Sequence, residues 1–294
     1  MSNKTLRASL YFLGAVTALY LLVTLVRGGD REVPDSRLGA ALTEIDGALL
    51  TRVEFTSPRG DILLEKEGDA WTVNGFQTDP KVVNRFLRAV DSARVGNIAA
   101  TNPDNHLDMG MTTDSARKMV TSGGVTILFG KHAPMTKTGY ARLPDSDTVY
   151  LVHGDLRYMV GRNEFQLRRK QMLETDTSAV ATIRVTRDGA TTVYERRDSV
   201  WMVNGQEAES YAIRNMLQEL ASMRATGFEP DYRMPEEPDR FVQALDADGN
   251  ELVSLKIMQE PGNWVVSSTS THHIFELPKF RGDRIAPEPP GGEG

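Results

Sequence analysis

The pattern Trp-x-Val-Asn-Gly occurs at Trp71 to Gly75 and returns at Trp201 to Gly205, an offset of 130 residues. At the same offset Val53 falls on Ile183, Phe55 on Val185, Glu65 on Glu195 and Arg94 on Arg224. A duplication of this length restricts the chain to two similarly folded bodies in series, because each copy must bury the same apolar positions in a core of its own. A chain of 294 residues is long enough for two such cores.

Within each copy the periodicity changes from two to about 3.6 residues. Val53 and Phe55 alternate with polar neighbours, Ser57 to Gly60 supplies a turn, and Ile62 and Leu64 resume the alternation, which predicts a hairpin. Trp71 and Val73 form a third strand, and Asn74-Gly75 tolerates the positive φ angles of a tight hairpin turn. Asp79 followed by Pro80 marks a helix start. From there Val83, Phe86, Leu87 and Val90 make one apolar stripe, repeated by Ile213, Met216, Leu217 and Leu220.

After a loop at 102–111, strands are expected near 118–121, 125–129, 139–143 and 148–152, then in the second copy near 241–245, 252–258, 264–267 and 274–277. The expected fold is α+β: two tandem modules of order β-β-β-α-β-β-β, each an antiparallel sheet packed by one amphipathic helix. The modules occupy residues 46–154 and 176–280, joined by a helical connector at 155–175 that Gly161 interrupts. Residues 281–294, rich in proline and glycine, read as a disordered tail.

Residues 1–27 comprise a short basic tail and an uncharged, largely apolar run from Ala8 to Val26. Nineteen helical residues at about 1.5 Å each span roughly 28 Å, close to the ~30 Å hydrocarbon thickness of a bilayer, so a single-pass transmembrane anchor is expected. A cleaved signal peptide is the rival reading, with a shorter apolar region and small residues just beyond it. Lys4 and Arg7 on one side are balanced by Arg27, Arg31 and Arg37 on the other, so charge leaves the orientation open. Residues 28–45 read as a linker.

A net charge of −6 argues against a dedicated nucleic-acid binder, and the absence of cysteine removes disulfides, thiolate metal sites and cysteine nucleophiles. Gly124 with Gly130-Lys131-His132 imitates a phosphate loop, but the spacing is one residue too long and the intervening residues form a strand. Asp246, Asp248 and Gly249 resemble a calcium loop, yet Ala244 and Leu255 would stand where oxygen ligands are needed. His106, His132, His153, His272 and His273 include no pair spaced to chelate on a helix. Arg59-Gly60-Asp61 and Arg281-Gly282-Asp283 are read as turn chemistry and chance. No catalytic residue, cofactor or metal site is therefore expected.

Several features together resemble the DUF4340 family. They are the basic-flanked N-terminal span, the tryptophan strand before an amphipathic helix, and the Val125 to Gly130 strand ending in Phe-Gly. The Gly139-Tyr140-Ala141-Arg142 and Val149-Tyr150-Leu151-Val152 strands follow, then the Phe165 to Leu173 connector before a renewed β-rich half. The likeness covers roughly residues 46–277. The second module departs from it, because Ile257-Met258 fills the position of Gly130-Lys131. What the resemblance implies is a bacterial envelope protein with tandem α+β modules outside the cytoplasmic membrane and no established catalytic activity. In some relatives it also implies association with ABC-transporter components.

Residues kept in both copies are best explained as fold determinants, so function is sought among those present once. Tyr140, Arg142 and His153, together with Arg168 and Arg169 of the basic cluster that also holds Arg162 and Lys170, are the candidate partner-binding residues. The leading expectation is a non-enzymatic, membrane-anchored extracytoplasmic binding or scaffolding protein with a membrane-protein partner. A carboxylate-dependent hydrolase working in the cleft between modules, or a lipid- or glycan-binding module, are the alternatives. The ligand and the oligomeric state are left open.

Overall fold

The computed structural model describes Thr17, residues 36–58 and residues 60–289. The chain divides at Arg168/Arg169 into two compact units.

In the first unit, Ser36 accepts the Gly39 amide at 2.8 Å and starts helix α1 (Arg37–Thr43). Strands β1 (Arg52–Thr56), β2 (Ile62–Glu67), β3 (Ala70–Val73) and β4 (Phe76–Gln77) follow as a meander. The turn after β3 has Asn74 at φ 50° and Gly75 at φ 83°, and the Asn74 side chain accepts the Leu63 amide at 2.8 Å. The second copy repeats it with Asn204 at φ 51° and Gly205 at φ 77°. Few side chains other than Asn and Asp sit in that conformation without strain, which explains why this dipeptide is kept twice.

Asp79 accepts the Lys81 amide at 2.9 Å and caps helix α2 (Pro80–Asp91), as expected. The chain then makes β5 (Arg94–Ala100), α3 (His106–Met109), β6 (Arg117–Thr121), β7 (Thr126–His132), β8 (Thr138–Arg142) and β9 (Val149–His153). It closes with α4 (Leu156–Val160) and α5 (Glu164–Leu167).

These strands form one nine-stranded antiparallel sheet in the order β4-β3-β2-β1-β6-β7-β8-β9-β5. Helix α2 therefore carries the chain from one edge of the sheet to the other. Its Phe86 meets Phe55 of β1 edge-on, with ring centroids 5.7 Å apart. Val53, Leu64, Val73, Met119, Ile127, Phe129 and Val152 complete the buried face. Each such side chain contributes about 1.5–3 kcal/mol on full burial.

The second unit contains β10 (Thr182–Arg187), β11 (Ala190–Arg197), β12 (Val200–Val203), β13 (Gln206–Glu207) and helix α6 (Ser210–Ala221). Strands β14 (Gly227–Phe228), β15 (Arg240–Leu245), β16 (Glu251–Gln259), β17 (Asn263–Ser268) and β18 (Thr271–Pro278) follow, then helix α7 (Lys279–Ile285). The sheet order β13-β12-β11-β10-β15-β16-β17-β18-β14 is that of the first unit, element for element. The duplication and the α+β class are thus borne out.

Several details differ from the expectation. Each sheet has nine strands, because β5 and β14 add a strand at the far edge and β4 and β13 extend the near one. Residues 37–43, expected within a linker, are helical, and Leu38, Leu42 and Ile45 are buried in the first core. The loop expected at 102–111 contains α3.

The segment 155–175 is no independent connector. Leu156, Met159, Val160 and Leu167 pack into the first core, whereas Met172 and Leu173 pack into the second. The expected tail likewise begins inside α7, where Ile285 is fully buried. Each unit consequently has a second helix packed beside the amphipathic one: α4 on α2, and α7 on α6.

The anchor at Ala8 to Val26 lies, apart from Thr17, outside the described residues. Among the described residues no helix is long and apolar enough to cross a membrane.

A cationic cavity in the first module

The end of β7, the start of β6 and helix α4 converge on an open cavity of about 630 Å³ within the first unit. Arg117 enters from β6, Lys131 and His132 from β7, Arg157 and Tyr158 from α4, and Arg162 from the turn beyond it. Ser57, Pro58, Ser115 and Gln166 complete the wall, and among the described residues no Asp or Glu lines it.

Local packing holds these cations in place. The Arg117 guanidinium lies 5.3 Å from the Phe55 ring centre, and that of Arg162 lies 5.2 Å from Tyr158. Arg162 donates through Nη1 to the Gln166 carbonyl at 3.4 Å, while its Nε is buried with no hydrogen-bond partner among the described residues. Arg157 donates from Nε to the Gly130 carbonyl. Its aliphatic stem lies over Gly139, where a Cβ would stand 2.4 Å from Arg157 Cγ. Glycine at 139 is thus what allows the arginine to cross the sheet at this point.

The His132 imidazole is held below its ordinary pKa, first by desolvation at the wall and second by the Arg157 charge. It is therefore neutral at pH 7, leaving three guanidinium groups and one ammonium as the fixed charges. A solvent-open recess with four permanent cations and no Asp or Glu in its wall among the described residues attracts anions, and planar guanidinium groups favour oxyanions that accept two hydrogen bonds at once.

The second module gives an internal control. Strand registers pair Phe55 with Met119 and Met119 with Ile127 in one unit, and Val185 with Val242 and Val242 with Leu255 in the other. Arg117 thereby corresponds to Arg240, Gly130 to Met258, Lys131 to Gln259 and His132 to Glu260. This moves the sequence-based alignment of Gly130-Lys131 by one residue. Continuing through β8 and β17, Gly139 corresponds to Trp264, and through β9 and β18 His153 corresponds to Pro278.

The contacts support that correspondence. Arg157 lies on Gly139, whereas Trp264 lies against Gly282, where a Cβ would be 2.2 Å from the indole Cδ1. Large and small residues have exchanged sides. In the second module Arg240 is buried over the Trp264 ring at 4.0 Å and donates to Asp283 Oδ1 at 2.8 Å and to the Gly282 and Ala286 carbonyls at 3.3 Å. The second copy thus meets its arginine with its own carboxylate and an indole, while in the first Arg117 lies over the Phe55 ring in a recess it shares with other cations.

The residues singled out from the sequence are not gathered at this cavity. Arg142 is buried, and its guanidinium donates to the carbonyls of Met111, Leu143, Pro144 and Ser146 at 3.1–3.3 Å, closing a loop. Tyr140 packs with Met111, Ala100 and Val149. His153 Nδ1 lies 3.1 Å from Thr138 Oγ1. Arg168 is buried over the Phe76 ring at 3.7 Å and pairs with Glu164 at 3.3 Å, and burial lowers its pKa against the raising effect of Glu164. Arg169 belongs to the second unit, where it pairs with Glu174 at 3.0 Å.

Of the basic cluster, Arg162 alone lines the cavity. Lys131 and His132, weighed only as part of a failed phosphate loop, line it from a strand end. The motifs set aside have structural duties: Asp246 accepts the Asp248 and Asn250 amides at 2.9 and 2.8 Å, and Asp283 of the second Arg-Gly-Asp pairs with Arg240. Among the described residues there is no group of three or more potential metal ligands.

Fold and cavity define a tandem-module α+β protein with a ligand-sized cationic recess in its first module. The chain belongs to the DUF4340 family, whose model, described as a domain of unknown function, matches residues 69–241. That span runs from β3 to β15 and includes every cavity residue except Ser57 and Pro58. No curated protein and no solved structure matches the chain.

Proposed function

We propose that this chain is a non-enzymatic binding and scaffolding protein of the bacterial envelope. Residues 8–26 tether it to the cytoplasmic membrane, its two modules lie on the extracytoplasmic side, and its partner is a membrane protein of the ABC-transporter type. The observation that carries the binding role is the cation-lined cavity, whose counterpart in the duplicate is met by an internal carboxylate. In the second copy the equivalent arginine, Arg240, pairs with Asp283; in the first, Arg117 shares an open recess with three other cationic side chains. The uncharged run from Ala8 to Val26 supports the tether, and the family resemblance supports the compartment and the type of partner.

Affinity capture of the full-length chain from detergent-solubilised membranes of its native host is expected to bring down a membrane protein, with less recovered when Lys131→Glu reverses a cavity charge. Recovery of no membrane protein sinks the partner. The natural absence of cysteine permits a direct topology test. A single cysteine at the exposed Leu49 should react with a membrane-impermeant maleimide in intact spheroplasts. Labelling only after lysis places the modules on the cytoplasmic side and overturns that part of the reading.

A further inference from the structure

We infer that a cavity in the second module binds a primary ammonium group carried on a small organic body. This is a further site, in the other module and of opposite charge to the recess described above.

The cavity, of about 750 Å³, lies where the β12–β13 hairpin, the start of α6 and residues 287–289 come together, a size that suits a small organic molecule. Tyr194 of β11 forms part of its wall. This residue is packed in the second core and only 2% exposed, yet its hydroxyl makes no hydrogen bond among the described residues and is not sealed from the cavity. Buried hydroxyls are normally paired, so one left open to a cavity marks a place for a ligand atom. Desolvation first, and the Glu209 charge second, raise the Tyr194 pKa, which keeps the phenol a neutral hydroxyl that accepts an N–H.

Charge selects a cation. Glu207, Glu209, Asp283 and Glu288 line the cavity together with Arg284. Three of these charges are already met: Arg284 by Glu219 at 3.3 Å, Asp283 by Arg240 at 2.8 Å and Glu288 by Arg187 at 3.2 Å. Glu207 and Glu209 form no ion pair among the described residues. Glu209 stands at the N-cap of α6 without accepting a cap hydrogen bond, whereas Asp79, at the same place in the first module, accepts the Lys81 amide. Tyr211, 68% exposed, adds an aromatic ring to the wall, and such rings attract cations. An ammonium donates N–H to carboxylate and phenol oxygens together, a combination that a bare metal ion with its firmly held water does not match.

The duplicate shows what the fold does when this place is filled from within. Registers Val53–Leu64–Val73 and Ile183–Tyr194–Val203 put Tyr194 at the position of Leu64, and Gln206 at that of Phe76. In the first module the α5 segment covers this region. Glu164 accepts from Asn74 Nδ2 at 2.8 Å, the Leu167 carbonyl accepts the Asp79 amide at 2.9 Å, and Arg168 lies over the Phe76 ring. Leu64 beneath is 1% exposed and apolar. In the second module the corresponding hairpin and helix start line a cavity, and a phenol replaces the leucine.

Free amines and lipid headgroups both carry the ammonium, and the probes separate them. The purified full-length chain in uncharged detergent micelles is titrated calorimetrically with putrescine, choline and magnesium at constant ionic strength. In parallel, micelles are doped with phosphatidylethanolamine or with phosphatidylcholine. Saturable binding of one putrescine, at least tenfold tighter than choline or magnesium, supports a free amine; binding of phosphatidylethanolamine in place of putrescine supports a headgroup.

In either case Glu209→Gln should weaken binding at least tenfold and Tyr194→Phe, which keeps the packed ring, several-fold, with circular dichroism unchanged. Glu237→Gln, at an exposed carboxylate outside the cavity, should leave binding within twofold. Binding of neither amine probe, equal binding of choline or magnesium, or undiminished binding by both Glu209→Gln and Tyr194→Phe overturns the assignment. Because the titration contains no partner protein and leaves the first-module recess intact, its outcome is independent of whether affinity capture finds a partner.

Discussion

Arg240 donates to Asp283 at 2.8 Å in the second module, and strand register puts Arg117, which lies over the Phe55 ring, at the place of Arg240 in the first. The same fold therefore solves one electrostatic problem in two ways. Arg240 is almost completely buried, with its side chain 7% exposed, while Asp283 remains 57% exposed. Asp283→Asn should destabilise the second module by about 1 kcal/mol, less than a fully buried pair would lose, because water still reaches the carboxylate side. Urea unfolding followed by Trp264 fluorescence measures it; no change in midpoint would mean that the carbonyl contacts alone hold Arg240.

The exchange of bulk across the sheet predicts reciprocal sensitivity. A Cβ at Gly139 would lie 2.4 Å from Arg157 Cγ, and one at Gly282 would lie 2.2 Å from Trp264 Cδ1. Gly139→Ala and Gly282→Ala should each cost about 1–3 kcal/mol through overpacking. The flexible arginine can shift whereas the indole is wedged, so Gly282→Ala should be the more damaging. Chemical denaturation of the two variants checks the order.

Glu219 of α6 is buried, 3% exposed, and holds Arg281 through Nε at 2.7 Å and Arg284 at 3.3 Å. Its counterpart at the 130-residue offset is Ala89, which is buried in the first core. Removing one partner from a buried ion pair leaves an uncompensated charge, so Glu219→Ala should cost about 3 kcal/mol. The double variant Glu219→Ala, Arg281→Leu removes both members of the closer pair and should recover part of that loss, since Arg284 still loses its partner. A double-mutant cycle by urea melts decides; additive losses would deny the coupling.

His132 supplies a pH prediction. Its pKa is lowered by desolvation and by Arg157, and the other groups facing it across the cavity, Lys131, Arg117 and Arg162, are also cations. Folding thus disfavours its proton, and the unfolded chain binds more protons just below the ordinary value of 6.5. Stability should fall as pH drops through the window between 6.5 and the depressed folded value, and be unaffected by this group above it. Ring resonances in an NMR titration report it, and a His132 pKa at or above 6.5 would deny the depression.

What was legible from the sequence was whatever local periodicity reports. The doubled Trp-x-Val-Asn-Gly hairpin, the Asp79-Pro80 helix start and the apolar stripes of α2 and α6 each arise from near neighbours in the chain, so pattern alone locates them. Leu38, Leu42 and Ile45 also carry helical spacing, a signal obscured by the polar residues before them. Strand β5 was not legible, because register shifts between Val95, Ile98 and Ala100 break the alternation that marks a strand. Helix α7 was hidden because polar pairs, Arg281 and Arg284 with Glu219, fasten it where an apolar stripe would normally be.

The sequence by itself determined that there are two copies of one α+β module, since duplication is a property of the linear order of residues. Only the tertiary structure decided where each of them presents a cavity. Residues 117, 131, 157 and 162 come from two strands, a helix and the turn after it, and meet because the sheet sets the ends of β6 and β7 beside α4. In the second module Asp283, delivered by a helix packed beside α6, meets Arg240, and no local pattern encodes that meeting.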